Sequence, residues 1–562
     1  MADILTSIST RSTPQHQKAR LEQVQNAAGG YVFEISDEAR LHRFLTLGTA
    51  DSTYYTSAKD LTRENADVLF RAIAADPVKV INHIVEISVA GRAPKQNPAL
   101  FALAVAASHG TDDARRTALA VLPQVARTGS TLFTFIKYAE QFRGWGPAFV
   151  KAIARWYNEK PVDQVAYQVL KYRNRENMRH DDVLRQAHPV GDAAHNALYN
   201  WLAATSPSAG TRRKAHGEGR DLYGNPVDTP LPELVEAYRR LRSATHVRDV
   251  LAVLNDNGNI SWEMIPDEYL NEALVWESLI SHTLPQTALL RQLPRITNLN
   301  LGSGTMKLVA DQLQNPEVLK RARVHPVDVL VAQKTYAQGH GEKGKLNWTP
   351  HRRITDALDA AFYASYGAVE PANKRTLIAL DVSLSMAGKV ADWLDCSGLP
   401  LAPREACAAI SLVTANTEKD YRVAGFCSGG WQRGIGRGGR GLTELDISPR
   451  RRLDDVVRYI SQLSAGGTDV ALPMLWAAAN KVAIDTFTVW TDNETWAGDV
   501  HPYQALEQYR QKMGIDAKLV VVAMTATGTS VCDPRDPLRQ MDISGFDSTV
   551  PQLIADFSAS RV

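Results

Sequence analysis

Cysteine is scarce in this 562-residue chain: Cys396, Cys407, Cys427 and Cys532 are the only four, and all fall in the last third. Their spacings match neither a zinc cluster nor a disulfide framework, so they read as buried, reduced thiols. Long apolar runs are also lacking, and no stretch approaches the roughly 18–20 residues that a membrane span needs. The opening "MADILTSISTRSTPQHQKAR" has no basic flank followed by an apolar block. It is therefore not a secretory leader, and residues 1–25 read as a flexible lead. These absences point to a cytoplasmic protein without a membrane partner. Charge of one sign is missing too. The net charge is +2, with four more basic than acidic residues before Pro371 and two fewer from there on. No global field draws in a polyanion, and any such site is a local patch. No GxSxG, Walker, HExxH or kinase pattern occurs, and "GIGRGGRG" (434–441) lacks the GK[ST] ending of a phosphate loop.

What is present divides into two rhythms. The length exceeds a single core, and 44% hydrophobic with 22% charged residues describes a globular protein. Residues 60–365 read almost entirely helical. In "VLFRAIAADPVKVINHIVEI", Val80, Ile81, Ile84 and Val85 fall on one helical face, and Pro77 sits early, where its missing N–H costs least. Further helical units, such as "STLFTFIKYAEQF" and "PAFVKAIARWYNE", break at Gly, Pro or Asp. A string of such units predicts stacked helix pairs of HEAT-like style, although no strict repeat consensus occurs. The Pro/Gly-rich segment Ser206 to Pro232 predicts a long loop within them. After Pro371 the short continuous runs "TLIAL", "TFTVW" and "AKLVVVAM" alternate with helical stretches. Continuous apolar strands are buried on both faces, so this part predicts an α/β doubly wound parallel sheet. Ligands of such sheets sit at the carboxyl ends of strands.

Three segments end at that edge. "DVSLSM" offers Asp381, Ser383 and Ser385, "AGGTD" offers Thr468, and "VWTDNETW" offers Asp492. All five side chains present oxygen, which suits a hard divalent cation such as Mg²⁺ or Mn²⁺. Taken alone, "DVSLSM" reads first as side chains satisfying backbone groups at a strand end, and it is the ordered set that reverses this. The ordered set resembles the metal-ion-dependent adhesion site of von Willebrand factor A domains. The resemblance implies Asp381, Ser383, Ser385 and Thr468 as ligands or ligand orienters, with Asp492 acting near the metal through water. It also implies one open coordination position that an acidic group of a partner fills. Two-metal hydrolysis needs bridging carboxylates, and only Asp381 and Asp492 are at hand, which favours binding over catalysis. Glu494 is assigned to the turn.

The helical half carries its cations in clusters. "KYRNRENMRHDDVLRQAHP" holds Lys171, Arg173, Arg175, Arg179, His180, Arg185 and His188, read as a helix–turn–helix stretch with Lys171 and Arg175 on one helix face. Opposing phosphates would relieve the repulsion, and so would Glu176, Asp181 and Asp182. Both readings stand at this point. "GHGEKGKLNWTPHRR" sets Trp348 among cations, which fits either single-stranded RNA or a domain junction.

Together these stretches resemble the Ro autoantigen family, the TROVE-domain RNA-binding proteins, in a bacterial-type form. The likeness is carried by "GYVFEISDEARLHRFLTLG", "KYRNRENMRHDDVLRQAHP", "RVHPVDVLVAQKTYAQGHGEKGKLNWTP", "AGGTDVALPMLWA" and "TDNETWAGDVHPYQALEQYRQKM", and covers nearly the whole chain. It implies a TROVE domain of HEAT-like repeats forming a ring over 26–370 and a von Willebrand factor A-like domain over 371–562. It implies a non-enzymatic ribonucleoprotein that binds Y RNA on its outer surface and takes single-stranded ends of misfolded noncoding RNA through a central hole. RNA quality control and an exoribonuclease tethered through RNA follow from the same resemblance. By the shared motif the Y RNA contacts map onto Lys171, Arg175 and His188, and Arg173 and Arg185 join them as adjacent charges. The second reading is a metal-dependent protein-interaction scaffold built on the A-type domain. The segment Cys427 to Asp446 is richer in Gly and Arg than the resemblance implies, and reads as either a flexible loop or an RNA contact.

Overall fold

The computed structural model describes residues 12–34, 40–41, 44–45, 67–90, 96–205, 229–282, 284–322, 324–341, 346–383, 386, 403–428, 441–463, 466–524, 529–544 and 550–561. Two compact units divide the chain, and neither is continuous. One comprises Met1–Val68, Gln314–Ala337 and Leu358–Val562; the other comprises Leu69–Leu313 and Gln338–Ala357. The expected break before Pro371 therefore falls inside the first unit.

The chain enters that unit through a short antiparallel hairpin of β1 (Gln23–Gln25) and β2 (Tyr31–Glu34). The reading of 1–25 as a flexible lead needs correction from residue 12 onward. Gln15 and Gln23 are buried, and Arg20 lies 4.2 Å from the Tyr503 ring centroid while pairing with Asp533 at 2.6 Å. Hydrogen bonds to distant loops hold this segment, so it shows no apolar signature of its own.

The second unit is built of helices. The helix Pro77–Ala90 begins on its proline and buries Val80, Ile81, Ile84 and Ile87 at the spacing of one face. Val85, expected on that face, lies half-buried at its edge. Thr128 starts Gly129–Phe142 with a reciprocal capping box to Thr131, and Asp192 caps Ala193–Ala204 through the His195 N–H. Packing joins helices that lie within a few elements of one another in the chain. Asn97–His109 lies on Gly129–Phe142, Pro147–Asn158 on His180–Ala187, and Val247–Asp256 on Ala273–His282. Aromatic edges lock these pairs: Phe101 meets Tyr138 at 5.4 Å, and the buried Trp156 indole donates to the Ala126 carbonyl. Each helix buries its apolar stripe on a near neighbour, as in stacked helical repeats. Within this unit β3 (Asn174–Arg175) and β4 (Met178–Arg179) form a two-residue-strand hairpin.

The main sheet belongs to the first unit. Its strands among the described residues are β5 (Thr376–Asp381), β6 (Tyr421–Phe426), β7 (Leu442–Leu445), β8 (Thr486–Thr491), β9 (Lys518–Ala523) and β11 (Gln540–Ser544), in the order β11-β9-β8-β5-β6-β7. The two-residue strand β10 (Thr529–Ser530) pairs instead with β2. Neighbours from β11 to β6 run parallel, and β7 runs antiparallel to β6, so the sheet is mixed at one edge. Gly441 makes that return possible. Its φ is +73°, and a Cβ there would lie 2.1 Å from the Cys427 carbonyl oxygen. Every residue of β5 and of β8 is buried, which is why both read as unbroken apolar runs. Helices Pro403–Thr417, Leu453–Ser461, Leu472–Ala479 and Pro502–Met513 fall where the sequence predicts them. Phe487 packs edge-on to Tyr509 at 4.9 Å inside this core. Among the described residues no helix is long and apolar enough to cross a membrane.

Phe487 is fully buried between strand and helix. Phe487→Ala is expected to cost about 3–5 kcal/mol, read by urea unfolding of the intact protein. A loss below about 1 kcal/mol would contradict this packing.

Candidate functional site

Strand order reverses at β5, which has β8 on one side and β6 on the other. The carboxyl ends of β5 and β8 therefore meet at a switch point. Leu380 pairs with Trp490, so the next residues, Asp381 and Thr491, stand level. Thr491 Oγ1 donates to Asp381 Oδ2 at 2.7 Å, and the Ser383 N–H donates to Oδ1 at 2.8 Å. Asp381, Ser383, Thr491 and Asp492 are all buried. Burial first, and then the Asp492 carboxylate, push the Asp381 carboxyl above the ordinary carboxylate range. Asp492 Oδ1 accepts from the Glu494 N–H at 3.1 Å, and Asn493 between them sits at φ 70°. The Glu494 carboxylate accepts from the Ala28 N–H at 3.1 Å, 466 positions away in the chain.

Thr468 is buried in the glycine loop. Its carbonyl accepts from the N–H groups of Trp496 and Ala497 at 3.1 and 3.2 Å, which ties this loop to the turn after Asp492. The fold thus gathers Asp381, Ser383 and Asp492 at one sheet edge and fastens Thr468 to the adjoining turn. Ser385 lies outside the described residues. Thr491 was missed because a threonine inside "TFTVWTD" reads as an ordinary strand residue; its place immediately before Asp492 is the signal. Among the described residues no group of three or more His, Cys, Asp or Glu assembles. The set is hydroxyls with two mutually unfavourable buried carboxylates, a donor chemistry that fits a single hard divalent cation.

The basic segment differs from the expected helix–turn–helix. The helix Val162–Lys171 stops at Lys171, and Tyr172 is no longer helical. Glu176 and Asn177 both adopt positive φ, 55° and 60°, forming the tight turn between β3 and β4. Lys171 and Arg175 therefore share no helix face. The element is helix, hairpin, helix, with His180–Ala187 following and His188 capping it at φ 43°.

The same geometry sorts the cations. Asp181 is buried and accepts from Arg179 Nε at 2.9 Å and Arg185 Nη2 at 3.3 Å, while Asp182 takes Arg185 at 2.8 Å. Arg173 donates to the Tyr238 hydroxyl at 2.5 Å and lies 5.6 Å from its ring centroid. Lys171 Nζ donates to the Tyr167 hydroxyl at 3.3 Å. Burial pulls its pKa down, but Glu263 and the two tyrosines beside it outweigh that and leave it above the ordinary value. Arg175 and His188 are exposed, and among the described residues the Arg175 side chain donates to the Asn174 carbonyl at 2.9 Å. Glu176 pairs with Lys137 at 2.9 Å. Trp348 is buried, its N–H donating to the Gly339 carbonyl at 2.8 Å, so it offers no face for base stacking. Residues 429–440 of the Gly/Arg-rich segment and 206–228 of the expected loop lie outside the described residues.

A stacked-helix domain combined with a von Willebrand factor A-type sheet, oxygen-rich at its switch point, is a narrow class of protein. Residues 24–335 match the TROVE domain and residues 375–558 match the Ro60 vWA domain. The chain belongs to the Ro60 family. It is 37% identical to the RNA-binding protein RO60 of Deinococcus radiodurans, over the full length of both chains. It is 33% identical to the RNA-binding protein RO60 of Caenorhabditis elegans, covering 98% of this chain and 92% of that one. The crystal structure of the Deinococcus radiodurans RO (RSR) protein superposes with a TM-score of 0.71 at 35% identity, covering 94% of this chain and 100% of that chain. The two RO60 relatives are named as RNA-binding proteins.

Beneath the hairpin, His180 is buried, with Nδ1 2.7 Å from the Tyr157 hydroxyl and its ring 4.5 Å from Phe133. Burial, partly opposed by Asp181, lowers its pKa from 6.5 to about 3. The unfolded chain takes up this proton at a higher pH than the folded one. The stability that neutral His180 contributes is therefore complete above about pH 6.5 and is lost as pH falls toward about 3. The melting temperature of the helical unit is expected to fall on acidification through that window, with a shallower fall in His180→Gln. Equal slopes in the two proteins would contradict the buried neutral imidazole.

Proposed function

We propose that this protein is a cytoplasmic ribonucleoprotein component that binds small noncoding Y RNA on its outer basic surface. Lys171, Arg175 and His188 make the main contacts. The observation that carries this reading is the division of labour on the hairpin element. Asp181 and Asp182 engage Arg179 and Arg185, whereas Arg175 and His188 are exposed and have no carboxylate partner among the described residues. An arginine so presented pairs with phosphate through a planar fork. Arg173 is oriented by Tyr238 and acts at the edge of this surface. Arg185 serves to fix the element. Single-stranded ends of misfolded noncoding RNA enter a central hole of the same protein in this reading, which places it in RNA quality control, with an exoribonuclease recruited through the RNA. The names of the two RO60 relatives support the RNA-binding part.

Lys171→Ala with Arg175→Ala is expected to weaken gel-shift affinity for a structured small noncoding RNA and to flatten the dependence of log K on log salt by about 2, roughly one for each lost phosphate contact. Arg185→Ala is expected to lower the melting temperature while leaving that salt slope in place. An unchanged slope in the double variant would refute the assigned contacts.

A second reading concerns the A-type unit, and Asp381 favours it. Its buried carboxyl faces the charge of Asp492, and Asp381, Ser383, Ser385, Thr468 and Asp492 would hold Mg²⁺. When bound, the ion supplies an open coordination position for an acidic side chain of a protein partner. Asp381 and Ser383 are held in position by Thr491 and by their own backbone bond. Millimolar Mg²⁺ is expected to raise the melting temperature of the wild-type protein and leave that of Asp381→Ala unmoved, with RNA affinity retained in both. Equal shifts in the two proteins would remove the site, and loss of RNA binding in the variant would join the two readings into one.

A further inference from the structure

The segment before β1 reaches the loops that carry Thr468 and Asp492, and Gln15 stands at the centre of that contact. Gln15 is fully buried. Its amide Nε2 donates to Asp469 Oδ1 at 2.7 Å and to the Val500 carbonyl at 2.9 Å. Its Oε1 accepts from Thr495 Oγ1 at 2.6 Å, across a separation of 480 residues. The Gln15 backbone adds two bonds, from its N–H to the Gly498 carbonyl at 2.8 Å and from the Tyr31 N–H to its own carbonyl at 2.7 Å. All the hydrogen-bonding capacity of this amide except one oxygen lone pair is committed to two loops.

Those loops are the ones already joined by Thr468. Thr495 Oγ1, which donates to Gln15, accepts from the Val470 N–H at 3.1 Å. Asp469 Oδ1, which accepts from Gln15, also accepts from the Ala471 N–H at 3.1 Å. Asn26 Nδ2 donates to the Thr495 carbonyl at 2.9 Å. The fit leaves no slack: a Cβ on Gly498 would lie 2.3 Å from Gln15 Nε2 and 2.4 Å from Asp469 Oδ1. Replacing Gln15 by a smaller apolar residue leaves Asp469 and Thr495 short of a buried partner, and such groups relax by moving.

We infer that Gln15 is a positioning residue for the divalent-cation site, clamping the loop of Thr468 against the loop of Asp492 so that ion affinity depends on the N-terminal segment. This rests on the metal reading given above. The clamp acts on loop position, because outer partners of ligands fix ligand geometry and their loss commonly weakens metal binding by about 10–100-fold.

The test is a Mn²⁺ titration of the full-length protein by calorimetry, with backbone hydrogen exchange read over residues 466–471 and 493–500. Gln15→Ala is expected to bind Mn²⁺ about tenfold or more weakly and to exchange faster in both loops. Gln25→Ala serves as the control, since among the described residues its exposed side chain bonds the Gly29 carbonyl alone, within the same segment; it should match the wild type. Should Gln15→Ala fail to fold, Gln15→Glu keeps the shape and the acceptor for Thr495 while setting an oxygen against Asp469, and the same loss is expected. Wild-type Mn²⁺ affinity in a folded Gln15 variant would overturn the inference while sparing the metal reading. A wild-type protein that binds no Mn²⁺ would overturn both.

Discussion

A carboxylate taken out of water has to be answered, by cations, by hydrogen-bond donors or by giving up its charge. Each unit of this protein is organised around one such group. In the helical unit Asp181 is buried and draws Arg179 and Arg185 onto itself. That fixes the start of one helix and the strand before it, and it settles which basic side chains are internal to the structure. In the A-type unit Asp381 is answered by the Thr491 hydroxyl and the Ser383 N–H, with a second carboxylate acting against it. The first arrangement closes its own charge balance. The second leaves two buried carboxylates facing each other beside hydroxyl groups, and the proposed cation would answer their charge.

From these two groups the functional division follows. Chain geometry in the helical unit leaves Arg175 and His188 exposed, because the Glu176–Asn177 turn lifts Arg175 away from the helix that ends at Lys171. A polyanion meeting that surface exchanges condensed counterions for protein cations. The A-type sheet contributes rigidity instead: continuous burial of β5 and β8 and their parallel register hold Asp381 and Thr491 level. The segment carrying Gln15 then adds a brace between loops that the sheet alone does not reach.

Much of this was legible in the sequence, for stated reasons. Strands buried on both faces announce themselves as unbroken apolar runs, so β5, β8 and β9 could be read directly, as could the helices between them. β6 was not among them, because "YRVAGF" mixes an exposed Arg422 with a glycine. The oxygen set was readable because its residues end strands or glycine loops, where side chains have no packing role to explain them. Thr491 was hidden by looking like a strand residue. The i, i+4 pairing of Lys171 and Arg175 failed because propensity says little about where a helix yields to a hairpin, and the turn residues Glu176 and Asn177 carry only a weak signal for positive φ. Residues 12–25 were misread because their burial comes from polar bonds to residues over 450 positions away, as from Gln15 to Asp469, and such bonds leave no hydropathy pattern.

The central claim is that the helix–hairpin–helix element of the helical unit is the RNA-facing surface. Ultraviolet crosslinking of the protein to its RNA inside its host, followed by mass spectrometry of the crosslinked peptides, tests it most directly. Crosslinks on peptides spanning Lys171 to His188 are predicted. Recovery of RNA-linked peptides only from elsewhere in the chain, or of protein carrying no RNA, would contradict the account.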